Sequence, residues 1–299
     1  MPRQPEQRHT GLDDAMLRAY WEQGYVVVPG LLPEASLAVW RDRLEAIVSG
    51  AVPPAEGMLV MKDVMVSRGV VAAAAPREAV AKLQDFENDP VLWAYVEHQA
   101  LLDCVERILG RDVFGLHSML INKPPHVDGR HPLHQDLLYF PFRPAERIVA
   151  AWTALEEVNR ENGCLVVVPG SQRGPLRRHQ NMDWEHVNAA YWGAEGAGPD
   201  AARIHLEMRP GDTVFFHPLL LHGSGRNRSP GCRRAMSAHF ASTSCHFAWR
   251  IGADDMRPYK VVRGEGVGRR MTWARGPQQD VDPLDYLPKG LGRARERDA

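Results

Sequence analysis

Residues 131–144 read HPLHQDLLYFPFRP, and they contain an H-x-D pair, His134 and Asp136. On a β-strand, side chains two residues apart leave the same face. His134 and Asp136 can then reach one metal ion from the end of a single strand. A second histidine, His222, lies far along the chain in FFHPLLLHGSG (215–225), and Arg233 follows it. Two imidazoles and one carboxylate leave three positions open on a metal, the arrangement that suits non-haem Fe(II) oxygenases. Those positions take two oxygens of a 2-oxo acid and one of O2. A 2-oxo acid such as 2-oxoglutarate has a far carboxylate, which arginine holds bidentately. The bare H-x-D pair is weak, since the chain has 13 histidines, and its flanks decide its meaning.

Outward from this stretch, the pattern changes near residue 110. Before it, Asp13 and Asp14 start a helix that Gly24 ends, and Tyr25–Val28 reads as a strand. Pro33 and Glu34 open a second helix whose Leu37, Trp40, Leu44, Ile47 and Val48 form one apolar stripe. Residues 50–80 carry little pattern. A helical block over 90–109 presents Leu101, Leu102, Val105, Ile108 and Leu109, with Gly110 as its cap. After it come strand candidates at 114–122, 148–155, 164–168, 204–208, 213–217 and 234–241, separated by Gly and Pro turns. Residues 174–202 read as a loop-rich insertion. Helices followed by many short strands predict a mainly β fold with supporting helices. The chain reads as one domain over 1–299: a helical part over about 13–110, a β core over about 111–245 and an extension over 246–299, of which residues 246–285 wrap the core. Residues 1–12 and the charged end GLGRARERDA read as solvated tails.

Composition excludes several classes. With 44% hydrophobic and 24% charged residues, the chain has an ordinary globular make-up. A formal net charge of -1 gives no pull toward nucleic acid. No run of 18 apolar residues exists, so no membrane span is expected. The four cysteines, Cys104, Cys164, Cys232 and Cys245, form no C-x-x-C pair and read as buried free thiols. The polar N-terminus is not a secretory signal, and the C-terminus is not an SKL-type address.

Ordered segments across about half of the chain resemble the phytanoyl-CoA dioxygenase family. They are KLQDF (82–86), HSMLINKPP (117–125), RHPLHQDLLYFPFRP (130–144), AWTALE (151–156), NGCLVVVPGS (162–171), GDTVFFHPLLLHGSG (211–225) and HFAS (239–242). The resemblance implies a double-stranded β-helix (jelly-roll) core and Fe(II)/2-oxoglutarate chemistry. It implies His134, Asp136 and His222 as iron ligands and Arg233 as the holder of the far carboxylate. Lys82, Met119, Gln135, Trp152 and Ser224 match positions lining the co-substrate site. The implied reaction is hydroxylation at C2 of a branched-chain fatty acyl-CoA such as phytanoyl-CoA. It consumes 2-oxoglutarate and O2 and yields succinate and CO2, with ascorbate as an accessory reductant. Related halogenases replace the carboxylate with a small residue, so Asp136 favours hydroxylation. The family's peroxisomal member carries a targeting segment not found here, so a cytoplasmic location is expected.

Other readings stand beside these. His131 and His217 flank the proposed ligands and read as core or supporting histidines. His239 shares strand parity with Arg233 but is given a structural role. Arg233 and Arg234 face opposite ways on a strand, and parity does not choose between them. Lys123, Arg130, Arg143 and Arg147 are candidates for a CoA phosphate, against an ordinary surface role. A hydroxylase of another small molecule or secondary metabolite shares the same motif. A non-catalytic cupin-like binding protein is the alternative of a different class, and an intact triad with a matching arginine argues against it.

Overall fold

The computed structural model describes residues 11–186, 188, 191–197, 202–248 and 259–271. The expectations for the tail before residue 11, for residues 249–258 and for the chain after 271 lie outside the described residues. Helices before residue 113 are Asp14–Gln23 (α1), Glu34–Val48 (α2), Val64–Ser67 (α3), Pro76–Ala79 (α4), Pro90–Val96 (α5) and Gln99–Leu109 (α6). Strands in the same region are Tyr25–Val28 (β1), Leu59–Lys62 (β2) and Val80–Gln84 (β3). Next come Val113–Lys123 (β4), His131–His134 (β5), Phe142–Arg143 (β6), Ile148–Ala154 (β7) and Leu165–Val167 (β8). His179–Asn181 (β9), Trp192–Ala194 (β10), Ile204–Leu206 (β11), Thr213–Phe216 (β12) and His222–Ser224 (β13) follow. The last are Arg233–Ser242 (β14), His246–Phe247 (β15), Tyr259–Arg263 (β16) and Arg270–Met271 (β17).

Two sheets form the jelly roll. The larger runs β1-β12-β7-β14-β4-β16-β17, with β3 also on β4 and β2 on β3. The smaller runs β11-β8-β13-β5. Strand β7, IVAAWTA, is buried at every position. Its lack of alternation follows from cover on both faces. Val149 and Ala151 pack with the helices, whereas Ala150, Trp152 and Ala154 pack inward with Val167, Val214 and Phe216. The helices therefore stiffen the outer face of the large sheet, and its inner face is left for the site.

Local chemistry accounts for the helix ends. Asp13 accepts from the Met16 N–H, and Gly24 closes α1 in a left-handed conformation at φ 84°. The stripe on α2 buries Leu37, Trp40, Leu44 and Ile47 against the sheet. Tyr95 on α5 shares a hydrogen bond of 3.0 Å with Thr153 Oγ1, which lies 2.8 Å from Thr213 Oγ1. That buried chain ties a helix to β7 and β12. Among the described residues, no helix is long and apolar enough to cross a membrane.

The helical block over 90–109 consists of two helices, because α5 ends at Val96 and α6 starts after His98. The quiet stretch over 50–80 leads into a β-ribbon, with Lys82 on β3 opposite Ile121 of β4. Lys82 thus belongs to the large sheet. Its strand is short and charged, so period-two alternation is weak there.

The two faces of α2 should respond differently to truncation. Leu37→Ala should cost about 2–5 kcal/mol through the cavity it leaves. Val39→Ala, on the exposed side, should stay within about 0.5 kcal/mol. Urea denaturation of both variants reads the contrast.

Candidate active site

The small sheet brings the two histidines together. β5 pairs antiparallel with β13, and His134 stands opposite His222. Directly opposed residues leave the same face of a sheet, and the two rings lie 4.2 Å apart. Gly223 permits this approach, since a Cβ there would fall 2.6 Å from His131 O and 2.9 Å from Pro132 O. Strand β5 stops at His134, and Asp136 opens a 3-10 turn over Asp136–Tyr139. The expectation that His134 and Asp136 project side by side from one strand is therefore corrected. The turn brings the carboxylate back toward the rings. The Leu137 N–H donates to Pro218 O at 3.0 Å, pinning that turn beside β13.

His134, Asp136 and His222 are all buried, and each offers a ligand atom within 4.8 Å of the others. Their hydrogen bonds fix the tautomers. His134 Nδ1 lies 2.9 Å from Pro132 O, and His222 Nδ1 lies 3.0 Å from Leu220 O. A carbonyl only accepts, so both Nδ1 atoms carry the proton. The two Nε2 lone pairs then face Asp136 Oδ1 at 3.2 and 3.5 Å. Three electron pairs converge on one point, and only a cation between them makes the arrangement favourable. Burial pushes His222 down to about 4, despite the Asp136 charge that favours protonation. A neutral imidazole at ordinary pH is what a metal needs. Two nitrogens and one oxygen fit iron with open positions.

The second oxygen of the carboxylate is occupied. His239 Nε2 donates to Asp136 Oδ2 at 2.8 Å from strand β14. Burial alone would raise the Asp136 pKa. The nearby His222 and His239 rings and the hydrogen bond from His239 outweigh it, holding the carboxyl well below its usual range. His239 thus leaves Oδ1 as the free donor and prevents the carboxylate from rotating.

These groups open into a cavity of about 530 Å³. Arg233, 2% exposed, lies along one wall, its guanidinium 5.3 Å from the Trp152 ring. Its Nη2 donates to Gly163 O at 3.0 Å, whereas Nε and Nη1 are buried without partners. Burial lowers its pKa to about 10, which leaves it cationic at neutral pH. Arg234 faces outward to Glu156 and Glu45. Strand parity alone could not make that choice.

Lys82, Met119, Trp152 and Ser224 also line the cavity. Lys82 Nζ sits 4.0 Å from Met119 Sδ and 5.5 Å above the Tyr191 ring, and burial lowers its pKa against the pull of Asp85. Gln135 differs. Its amide nitrogen donates to Leu219 O and Pro175 O, and its Oε1 accepts from the Arg177 N–H. Those bonds commit it to backbone beside the cavity rather than to the lining. His131 stacks on His134 at 3.9 Å and lies tilted against Tyr191 at 4.1 Å, supporting a ligand ring. His217 is buried and accepts from the Leu219 N–H.

Sequence reasoning undervalued two groups. His239 shares the inward face of β14 with Arg233, and that parity was the available signal. Lys123 was placed among the CoA candidates but is buried in the cavity wall at 6% exposure. Its register opposite Arg233 becomes visible only once β4 and β14 pair. Arg130 is bound to Asp128, Arg143 donates to Phe140 O and Phe142 O, and Arg147 is exposed.

Residues 20–235 match the family model for phytanoyl-CoA dioxygenase. The peroxisomal phytanoyl-CoA dioxygenase of Homo sapiens is 44% identical over 269 residues, 87% of this chain and 79% of its own. A probable phytanoyl-CoA dioxygenase of Caenorhabditis elegans is 45% identical over 297 residues, 93% of this chain and 91% of its own. Among solved structures, the epimerase SnoN with Fe3+, alpha ketoglutarate and nogalamycin RO matches with a TM-score of 0.61 at 20% identity, over 89% of this chain and 96% of its own. The alpha ketoglutarate dependent carbocyclase SnoK matches with a TM-score of 0.60 at 23% identity, over 79% and 86%. These structural likenesses concern the fold.

His239→Ala should weaken metal binding by about 10–100-fold, as loss of a hydrogen bond behind a ligand does. Anaerobic titration with Co(II), followed by visible absorption, measures this. His239→Gln, which keeps a donor, should recover part of the loss.

Proposed function

This chain belongs to the phytanoyl-CoA dioxygenase family, and from that premise we propose that it hydroxylates C2 of a branched-chain fatty acyl-CoA such as phytanoyl-CoA. It is an Fe(II)- and 2-oxoglutarate-dependent dioxygenase. The observation that carries the reading is the convergence of two imidazole lone pairs and one carboxylate oxygen in a buried cavity, beside an arginine with free donors.

His134, Asp136 and His222 hold the metal. Iron bound there with 2-oxoglutarate supplies O2 activation coupled to decarboxylation, one oxygen atom entering succinate and the other the substrate C–H bond. The protein's part is orientation and exclusion of water. His239 keeps the carboxylate turned so that one oxygen serves as ligand. Arg233 receives the far carboxylate of 2-oxoglutarate on Nε and Nη1, the two donors without internal partners. Its planar fork suits a carboxylate better than a lysine would. Trp152 presents its ring to the guanidinium, and Met119 and Lys82 line the same cavity.

Apolar side chains supply part of the lining. Leu59, Met61, Leu116, Phe140, Pro141 and Tyr259 border the cavity. Leu59 is 50% exposed, which places a greasy side chain at the opening where an acyl chain enters. Burial of such a chain contributes about 0.8 kcal/mol per methylene. Bound there, the acyl chain would present its C2 hydrogen toward the residues that hold the metal, with the thioester and CoA extending outward.

Asp136→Ala should abolish hydroxylation, because it removes one of three ligands and frees His239. Arg233→Ala should raise the KM for 2-oxoglutarate at least tenfold, since a charge-assisted contact is worth about 1.5–3 kcal/mol. The deciding experiment measures succinate from Fe(II)-loaded protein with 2-oxoglutarate and O2, with and without phytanoyl-CoA. Stimulation with a 2-hydroxyacyl-CoA product by mass spectrometry is expected. Turnover without stimulation would reject the substrate and keep the chemistry. No turnover from iron-loaded protein would favour a binding protein.

A further inference from the structure

Lys123 has a place in the cavity that the reading above leaves unused. It stands opposite Arg233 in the β4–β14 register, so the two cationic side chains leave the same face as neighbours. Both are buried, at 6% and 2% exposure. Among the described residues, no carboxylate forms an ion pair with either. Asp128, which acts on Lys123 from a distance, is held by Arg130 and Arg226. Two adjacent buried cations without an anion are costly, so the pair calls for a negative group from outside the chain.

The hydrogen bonds indicate where that group sits. Lys123 Nζ donates to Ser224 Oγ at 2.8 Å and to Gly225 O at 2.5 Å. An ammonium only donates. Ser224 Oγ must therefore accept from Lys123, and its own hydroxyl proton must go elsewhere. Lys123 retains a third N–H, and Arg233 has Nε and Nη1 free. Donors from Ser224, Lys123 and Arg233 thus border one cavity. A carboxylate has about four lone-pair sites to receive them.

We propose that Lys123 is a specificity-determining residue for the co-substrate, fixing the Ser224 hydroxyl as a donor and adding a second positive charge beside Arg233, so that the site takes a 2-oxo acid with a far carboxylate and rejects one with an uncharged end. This rests on the reading that Arg233 receives the far carboxylate. Burial, and then the charge of Arg233, push the Lys123 pKa well below its ordinary value. A carboxylate between the two cations offsets the second of these.

The test is anaerobic calorimetry of the Fe(II)-loaded protein with 2-oxoglutarate and with 2-oxopentanoate, which has a methyl group in place of the far carboxylate. Lys123→Met should weaken 2-oxoglutarate by roughly tenfold to a hundredfold and leave 2-oxopentanoate nearly unchanged. Ser224→Ala should cost less in the Lys123→Met background than in the wild type, because the hydroxyl is then no longer held as a donor. If Lys123→Met fails to fold, Lys123→Gln carries the same expectation, since it keeps a donor and loses the charge. Unchanged 2-oxoglutarate affinity in the Lys123 variant, with a large loss in Arg233→Met, would overturn the role of Lys123 and leave the arginine reading intact. Unchanged affinity in Arg233→Met as well would overturn the arginine reading itself.

Discussion

The carboxylate of Asp136 is the constraint on which the site depends. An ionised carboxylate buried in a β core is unfavourable unless each oxygen has a partner. Here His239 satisfies one oxygen, and the other faces two imidazole lone pairs. The protein alone does not complete this arrangement, whereas a divalent cation does. Folding therefore delivers a site whose remaining valence is supplied by the metal, and metal binding should add to stability by mass action. Three different strands and one turn contribute to it, so the geometry is only as good as the packing of two sheets.

That packing explains the division of labour along the chain. The helical part covers the outer face of the large sheet with Leu37, Trp40, Leu44 and the α6 side chains. The inner face is then free to carry Trp152, Arg233, Ser237 and His239 into the cavity. The small sheet supplies His134 and His222, and Gly223 lets its strands approach closely enough for the rings to meet. The site sits between a rigid floor and a more open rim formed by the β2–β3 ribbon, which carries Leu59, Met61 and Lys82.

Much of the fold was legible in residue patterns. Asp13 and Gly24 bracket α1, the α2 stripe is buried as its period requires, and the main strands fall between Gly and Pro turns. Two features were hidden for physical reasons. The β2–β3 ribbon carries too little alternation to be read, because one of its faces borders a cavity rather than a core. Asp136 leaves its strand because the chain turns immediately after His134, and no local period announces a single 3-10 turn. In the site, the resemblance supplied Arg233 over Arg234, a choice that alternation cannot make. The partnership of Lys123 with Ser224, and of His239 with Asp136, joins residues about a hundred positions apart. It depends on register, which a single sequence does not display.

The most direct measurement is anomalous diffraction from crystals grown anaerobically with Fe(II) and 2-oxoglutarate. The account predicts one strong peak bound by His134 Nε2, Asp136 Oδ1 and His222 Nε2, with His239 still on Oδ2. It also predicts the far carboxylate of 2-oxoglutarate against Arg233, Lys123 and Ser224. A peak elsewhere, a carboxylate rotated onto the metal through both oxygens, or a co-substrate lying away from Arg233 would contradict it.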